Sequence, residues 1–315
     1  MAVSWIVLTR WSLRRQRCSS TCVWLHELSS NNGKTEYQVA VRKVKTFLLP
    51  VIVVVTGVYL VICVAAFLMQ RQLIYHPYRQ ILTTPAAIGL DYHELMLQSP
   101  DGVEFVVWCI PADSSPVNVV CFHGNAENIS NSTSTYKLLH ELGVNVYAFE
   151  YRGYANCRGT PSEGGITTDL KTFSEYLANS LPPDAKTVAL GRSLGGAVAA
   201  RFATLYPVDG IIFESTFNRM VDVGRKAFPY LPISFLLRER YDSEEIVRSL
   251  NRPVLVIHSP DDEVIPFELG RKLFDAAIGE KSFVEIEGSH NSGFEISEET
   301  LRSAYRDFFN RFRKQ

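Results

Sequence analysis

Ser193 lies between two glycines in the stretch GRSLGG, with Gly191 two residues before it and Gly195 two residues after it. The preceding run TVALG has the composition of a buried strand, and the following LGGAVAARFATLY has apolar residues at helical spacing. A strand that turns directly into a helix strains the backbone of the turning residue and leaves no room for a Cβ at the two glycines. The pattern therefore predicts a nucleophile elbow that holds the Ser193 hydroxyl above a sheet edge.

A serine hydroxyl needs a base to take its proton at neutral pH. Only His258 and His290, of the seven histidines, follow Ser193 in the chain. His290 lies in the polar stretch EIEGSHNSGFE, directly after the last predicted strand, and it also follows an acidic cluster. Because an acid and then a histidine follow the serine in enzymes built on this elbow, we predict that His290 is the base. His123 precedes the serine and is interpreted as a structural loop residue.

The acid that orients the base is predicted in the stretch VIHSPDDEVIPFE. Asp261, Asp262 and Glu263 come directly after a buried strand there. A carboxylate at that turn can accept the imidazole N–H, fix the tautomer and stabilise the imidazolium. We choose Asp262 and expect its acidic neighbours to cap the following helix. Glu214, at the end of the preceding strand, is the reserve candidate.

Two backbone N–H groups are needed to stabilise the oxyanion that develops during acyl transfer. The residue after the nucleophile supplies one of them, which is Leu194 in this chain. We expect the second from the loop after the strand VVCF, and Asn125 in FHGNAEN is the predicted donor.

Alternating strand and helix patterns surround these residues. HELMLQ and VEFVVWCIP predict an antiparallel pair, and repeated strand–helix units follow it to the end of the chain. Such units form a mostly parallel sheet with helices on both faces, and active sites collect at the carboxyl ends of its strands. A less regular apolar stretch at about 217–247 predicts a small cap, whose apolar side chains either line an acyl pocket or pack onto the sheet.

A stretch of 23 residues without a charge runs from Phe47 to Met69. As a helix it would extend about 35 Å, which is enough to cross the ~30 Å hydrocarbon core of a bilayer. We therefore predict an N-terminal tail at 1–46, a transmembrane helix at 47–69, a tether at 70–90 and a catalytic domain at 91–315.

The flanking charges predict the orientation of this helix. Arg71 and Arg79 are the basic residues just after it. The basic residues before it are more numerous: Arg10, Arg14, Arg15, Arg17, Lys34, Arg42, Lys43 and Lys45. By the positive-inside rule the N-terminus is cytoplasmic, and the catalytic domain is luminal, extracellular or periplasmic. In a eukaryotic lumen, Asn128 and Asn131 would stand in glycosylation sequons.

The overall composition argues against several classes of protein. The net charge of −1 over 315 residues, with no dense basic run in the globular part, argues against a nucleic-acid partner. The six cysteines show neither C-x-x-C nor Cys/His metal spacing. We expect neither a metal nor a cofactor, and we expect the membrane and an acyl ester or thioester as partners.

The stretches FHGNAEN, FEYRGYANCRGTPSEGG, LGRSLGG, FESTF and HSPDDEVIPFELG…GSHN together resemble the α/β-hydrolase-domain proteins of the membrane-anchored Bem46-like branch. That branch includes single-pass serine hydrolases and is related to protein depalmitoylases. The resemblance extends from about Tyr75 to the C-terminus and implies the α/β-hydrolase fold. It also implies the triad Ser193, Asp262 and His290.

Two departures from the family pattern are visible, and both lie outside the triad. Ser259 stands where relatives often have glycine, and Asn291-Ser292 replaces the usual Asn-Asp after the histidine. The expected activity is hydrolysis of carboxylic esters or thioesters in acyl-lipid or acyl-protein substrates. The alternatives are a serine peptidase-like amide hydrolase and an anchored scaffold without catalysis.

Overall fold

The structure is a computed structural model that describes residues 20–113 and 115–313. The chain divides into two compact units, of which the first ends at Ile62 and the second begins at Cys63. The first 19 residues, including the predicted basic cluster at 10–17, lie outside the described residues.

Helix α1 (Ser20–Ile74) contains the predicted transmembrane segment. Its part Thr35–Ile74 is long and apolar enough to cross a membrane, with a mean hydropathy of 2.9 over an 18-residue window. The helix extends beyond the predicted 47–69 at both ends. The polar residues nearest to the apolar stretch are good helix formers: Arg42, Lys43 and Lys45 before it, and Gln70, Arg71 and Gln72 after it. Pro50 lies inside the helix, as membrane helices tolerate.

The second unit contains an eight-stranded sheet with the order β1-β2-β4-β3-β5-β6-β7-β8. β1 and β2 form an antiparallel hairpin, β2 pairs antiparallel with β4, and the remaining pairs are parallel. The strands are β1 (His93–Gln98), β2 (Glu104–Ile110), β3 (Val117–Phe122), β4 (Asn145–Phe149), β5 (Lys186–Arg192), β6 (Gly210–Glu214), β7 (Val254–His258) and β8 (Lys281–Glu285). The predicted α/β-hydrolase fold class is confirmed.

Helices cover both faces of this sheet. They are α2 (Thr133–Glu141), α3 (Glu163–Ser180), α4 (Leu194–Ala203), α5 (Met220–Ala227), α6 (Ile233–Leu236), α7 (Ser243–Ser249), α8 (Phe267–Ala276), α9 (Gly293–Ile296) and α10 (Glu298–Arg313). One apolar core, which includes Phe173 and Phe202, lies on one face, and a second core with Leu139 and Phe309 lies on the other. Every residue of β3, β6 and β7 is buried, as expected for parallel strands covered on both sides.

Residues 75–90, which were predicted as part of a tether, are held by hydrogen bonds and packing against the rest of the second unit. The Tyr75 side chain is buried, and the Tyr78 carbonyl accepts hydrogen bonds from the Ala155 N–H (2.9 Å) and the Asn128 amide (3.2 Å). A short 3-10 helix, Pro85–Ile88, completes the segment. Because Asn128 is fully buried, its side chain is closed to glycosylation in the folded protein, whereas Asn131 is exposed.

Candidate active site

The backbone at Ser193 has φ 52° and ψ −122°, a conformation that L-residues rarely adopt. It separates the last residue of β5 from the first residue of α4. A Cβ at Gly191 would collide with the backbone of Gly195, and a Cβ at Gly195 would collide with the carbonyl of Phe122. The two glycines therefore permit the sharp turn that the sequence predicted.

Two hydrogen bonds from the next strand fix this turn. The Ser193 N–H donates to the Glu214 carbonyl (2.9 Å), and the Thr216 hydroxyl donates to the Ser193 carbonyl (2.6 Å). Both partners are buried, so the elbow is braced by the end of β6.

The loops after β5, β7 and β8 bring Ser193, Asp262 and His290 together. The His290 Nε2 lies 3.2 Å from the Ser193 Oγ, and its Nδ1 lies 2.7 Å from the Asp262 Oδ2. Since the carboxylate accepts from Nδ1–H, Nε2 of a neutral ring is free to accept the serine proton. The three residues are 6–8% exposed, which leaves the site reachable but largely shielded from water.

The Asp262 carboxylate is held in its ionised form. Burial alone would raise the pKa, but hydrogen bonds from His258, His290 and the Ile265 backbone outweigh it and hold the pKa well below its ordinary value. Asp262 Oδ1 accepts from the backbone N–H groups of Val264 (3.0 Å) and Ile265 (2.7 Å). The carboxylate is therefore both charged and fixed in direction.

His258 is a site residue that the sequence analysis passed over. Its Nε2 lies 2.9 Å from the Ile265 carbonyl and 3.3 Å from the Asp262 Oδ2. A Cβ at Gly270 would overlap the His258 ring, so that glycine makes room for it. The sequence feature that could have identified His258 is its position in VIHSPDDE, directly before the acidic turn.

Glu214, the reserve acid, has a different partner. Its carboxylate accepts a hydrogen bond from the Tyr305 hydroxyl at 2.9 Å. Burial raises the pKa of Glu214 above its ordinary value, although Arg192 and the Tyr305 hydrogen bond act in the other direction. The imidazole of His290 is thus bonded to Asp262, and Glu214 faces α10.

The predicted oxyanion donors are the residue after Ser193, Leu194, and the residue after Gly124 in the loop that follows β3, Asn125. Within the described ranges, neither the Leu194 nor the Asn125 backbone N–H donates to another protein group. The preceding Gly124 faces the elbow, since a Cβ there would lie 3.4 Å from the Ser193 Cβ. Its own N–H is taken by Glu127, which leaves Leu194 and Asn125 available.

His123 stabilises this loop through both of its ring nitrogens. Its Nδ1 lies 2.8 Å from the Gly124 carbonyl and its Nε2 lies 2.8 Å from Glu150. Burial lowers the pKa of His123, but the Glu150 carboxylate outweighs burial and raises the pKa above its ordinary value. Both ring nitrogens are therefore engaged in holding the loop.

The side chain of Asn125 connects the same loop to the end of α1. Its Nδ2 donates to the Ile74 carbonyl, and its Oδ1 accepts from the His76 N–H (3.0 Å) and the Tyr154 hydroxyl (2.7 Å). The end of α1 and the residues that follow it thus help to position a predicted oxyanion donor. Pattern reasoning did not anticipate this role for the tether.

Arg192 joins two of the loops that carry predicted site residues. Its guanidinium donates to the His290 carbonyl at 2.8 Å and lies 3.7 Å from Glu127. The His290 N–H in turn donates to Glu263 (3.1 Å). Arg192 and Glu127 lie inside the motifs GRSLGG and GNAEN, but their contacts depend on the folded sheet.

No group of three His, Cys, Asp or Glu side chains that could hold a metal ion occurs in the part of the chain that the structure describes.

Comparisons with known proteins agree on a family. The family model described as serine aminopeptidase S33 matches residues 114–231. The α/β-hydrolase domain-containing protein WAV2 of Arabidopsis thaliana is 30% identical over 239 residues, which cover 68% of this chain and 76% of that one. The lysophosphatidylserine lipase ABHD12 of Danio rerio is 31% identical over 65% of this chain and 64% of its own.

Protein bem46 of Schizosaccharomyces pombe is 30% identical over 198 residues, 60% of this chain and 66% of its own. Among solved structures, the Pyrococcus furiosus esterase Pf2001 superposes with a TM-score of 0.63 over 75% of this chain and 98% of its own. At 19% identity, that similarity concerns the fold.

Proposed function

The chain belongs to the Bem46-like branch of the α/β-hydrolase family, and from that premise we propose that it is a membrane-anchored serine hydrolase that cleaves carboxylic esters or thioesters. The observation that carries the proposal is the hydrogen-bonded series Asp262–His290–Ser193 at a strained strand–helix turn. An apolar helix before the hydrolase unit supports anchoring in a membrane.

The first half of the reaction transfers the acyl group to the enzyme. The Ser193 Oγ attacks the acyl carbonyl while His290 Nε2 takes its proton, and Asp262 stabilises the imidazolium. The Leu194 and Asn125 N–H groups donate to the oxyanion of the tetrahedral intermediate. When the intermediate collapses, the bond to the leaving alcohol or thiol breaks, and His290 returns the proton to that group.

The second half releases the acyl group. Water gives a proton to His290 Nε2 and attacks the carbonyl of the acyl-enzyme. The new intermediate expels Ser193, which regains the proton, and a carboxylic acid leaves. Burial of the triad favours this chemistry, because hydrogen bonds to a developing charge are stronger in a site with little water.

Amide cleavage is the second candidate, since the matching family model is described as a serine aminopeptidase. The same triad can act on an amide if His290 protonates the leaving amine. Ester hydrolysis is favoured because one relative, at 31% identity, is named a lysophosphatidylserine lipase.

The test uses the full-length protein reconstituted in lipid nanodiscs. Acyl esters and thioesters from acetyl to palmitoyl are compared with aminoacyl amides, and a fluorophosphonate probe reports the nucleophile. We expect ester or thioester turnover and labelling by the probe, and we expect Ser193→Ala to lose both while its melting temperature is retained. Faster amide turnover would favour the second candidate. Undiminished labelling of the alanine variant would refute the assignment of Ser193.

A further inference from the structure

The insertion between β6 and β7 presents large apolar side chains to the outside. Its central part (residues 227–237), called the cap tip below, contains no charged residue. Phe228, Tyr230 and Phe235 are 47%, 88% and 89% exposed, whereas Ile233 is buried. The aromatic side chains of the cap tip therefore form an exposed apolar surface.

Basic residues stand on both sides of the cap tip. Arg225 and Lys226 precede it, and Arg238 and Arg240 follow it, all exposed. Arg225 and Lys226 also pair with acidic side chains of the domain. The one acid in this stretch, Glu239, is buried, so the outward face combines aromatic and basic groups. Those groups are typical of surfaces in the headgroup layer of a membrane.

The cap tip and Arg238, which directly follows it, contact the last turns of α1. The Arg238 N–H donates to the Gln70 Oε1 (2.7 Å), and the Gln70 amide donates to the Leu236 carbonyl (3.4 Å). The Arg238 guanidinium lies over the Phe67 ring, 5.5 Å from its centre. The exposed aromatic side chains are therefore attached to the end of the helix that we propose as the membrane span.

A cluster of hydrogen bonds around the buried Glu239 stabilises this contact. Glu239 accepts hydrogen bonds from Arg71 (3.1 Å), from the Tyr75 hydroxyl (2.8 Å) and from the Glu163 backbone N–H. The Tyr75 hydroxyl also lies 2.7 Å from that of Tyr241. Because a buried carboxylate with several donors is costly to displace, the cap tip keeps its place beside α1.

We propose that the cap tip is a second membrane-contacting element, which inserts Phe228, Tyr230 and Phe235 into the interfacial layer of the bilayer in which α1 is anchored. Arg238 and Arg240 then face the phosphate groups of the lipids. The proposal rests on the membrane anchoring in the proposed function but not on catalysis. It places the loop that follows β6, at the catalytic edge of the sheet, against the lipid surface.

The test measures how close two labels come to lipid. Phe235→Cys and Ile278→Cys are each made in full-length protein with Cys18 and Cys22 replaced by Ser, since the other four cysteines are buried. Ile278 is the matched control, because it is also exposed (45%) but lies before β8, at the amino edge of the sheet. Both are labelled with the same fluorophore in vesicles of phosphatidylcholine and phosphatidylserine.

We expect brominated lipids to quench the label at 235 several-fold more than the label at 278, and aqueous iodide to quench in the reverse order. Equal access of iodide to both labels would overturn the proposal. Protection of the 235 label from both quenchers would also overturn it, since that result indicates a protein partner on the cap tip.

Flotation of the labelled protein with the vesicles tests anchoring by α1 separately. A second substitution, Phe228→Cys, repeats the comparison in case the label at 235 disturbs the fold. Quenching of that label by iodide alone, in protein that floats, would count against the proposal in the same way.

Discussion

Four donors converge on the Asp262 carboxylate. They are the two imidazoles of His258 and His290 and the backbone N–H groups of Val264 and Ile265. This arrangement keeps the carboxylate ionised and aims one oxygen at His290. A carboxylate so placed selects the His290 tautomer that can accept the proton of Ser193.

Replacing this acid with its amide should therefore remove most of the activity. We expect Asp262→Asn to lower kcat by about 10⁴-fold, because an amide can stabilise the wrong imidazole tautomer and cannot balance the imidazolium charge. Glu214→Gln is the matched control, since Glu214 is buried nearby but bonded to Tyr305. Steady-state turnover of a short soluble ester measures both variants. A greater loss for Glu214→Gln would show that the acid lies on β6.

His258 should affect how stability and turnover change as the pH is lowered. A carboxylate whose pKa is lower in the folded than in the unfolded protein stabilises the fold at pH values above its unfolded pKa. This stabilisation is lost as the pH falls from the unfolded pKa to the folded pKa. His258→Leu removes one donor and brings the pKa of Asp262 closer to its ordinary value. We therefore expect turnover to fall at a higher pH on acidification, and we expect the acid-induced loss of stability to be smaller and to be complete at a higher pH.

At neutral pH, His258→Leu should lower the free energy of unfolding by about 1.5–3 kcal/mol, the usual contribution of a hydrogen bond to a charged group. His258→Gln keeps a donor near the position of Nε2 and should restore part of the acid resistance. Unfolding curves and pH–rate profiles between pH 3 and 8 measure both effects. Identical acid limbs for the wild type and the leucine variant would contradict the role given to His258.

At the residue scale, sequence order and motif spacing predicted the residues that the structure brings to one point. Ser193, Asp262 and His290 each follow a strand, and parallel strands end at one edge. His258, Arg192 and Glu127 were missed as site residues because their contacts depend on side-chain direction across neighbouring loops. No local pattern encodes that direction.

Among the elements, the loop after β3 and the segment after α1 act together. The Asn125 side chain bonds to Ile74, His76 and Tyr154, while its backbone N–H donates to none of the described residues. Asn125→Ala keeps that N–H and removes the side-chain bonds, so it isolates the positioning of the loop.

We expect Asn125→Ala to lower kcat at least about 10-fold with little change in KM, short of the 10²–10³-fold cost of losing a whole oxyanion donor. Asn131→Ala is a suitable control, because exposed Asn131 lies in the following 3-10 helix (Ile129–Ser132) and its Oδ1 accepts from the Asn128 N–H (2.9 Å) rather than from the Asn125 partners. Labelling by the fluorophosphonate probe should slow in parallel with kcat. Unchanged kcat in folded Asn125→Ala would show that the anchor segment does not position the donor.

The strand positions and the hairpin were predictable at this scale, because alternating and continuous apolar runs mark them clearly. The length of α1 and the bonding of residues 75–82 were not, since a polar segment beside a membrane span has no apolar period of its own. The cap was predicted as an insertion, but the outward direction of Phe235 depends on how α6 packs through Ile233.

For the whole molecule, the distribution of positive charge predicts which side of the membrane holds the catalytic unit. We expect protease added to sealed vesicles with the cytoplasmic face outward to remove only the N-terminal tail. The remaining fragment, including Ser193, should keep its probe labelling. Vesicles opened with detergent provide the control for protease activity. Digestion of the catalytic unit in sealed vesicles would reverse the predicted orientation.

The bonding of residues 70–82 to the hydrolase unit has a kinetic consequence. As a flexible linker, the 21 residues of the predicted tether (70–90) would have an end-to-end reach of about 25 Å. Tyr75, Tyr78 and Leu82 instead fix this segment to the hydrolase unit, so it cannot extend in that way. In the membrane-anchored hydrolase that we propose, encounters with a lipid substrate then take place within the plane of the membrane. The turnover rate should follow the mole fraction of substrate among the lipids, so that adding inert lipid slows the enzyme by surface dilution even when the total amount of substrate is unchanged.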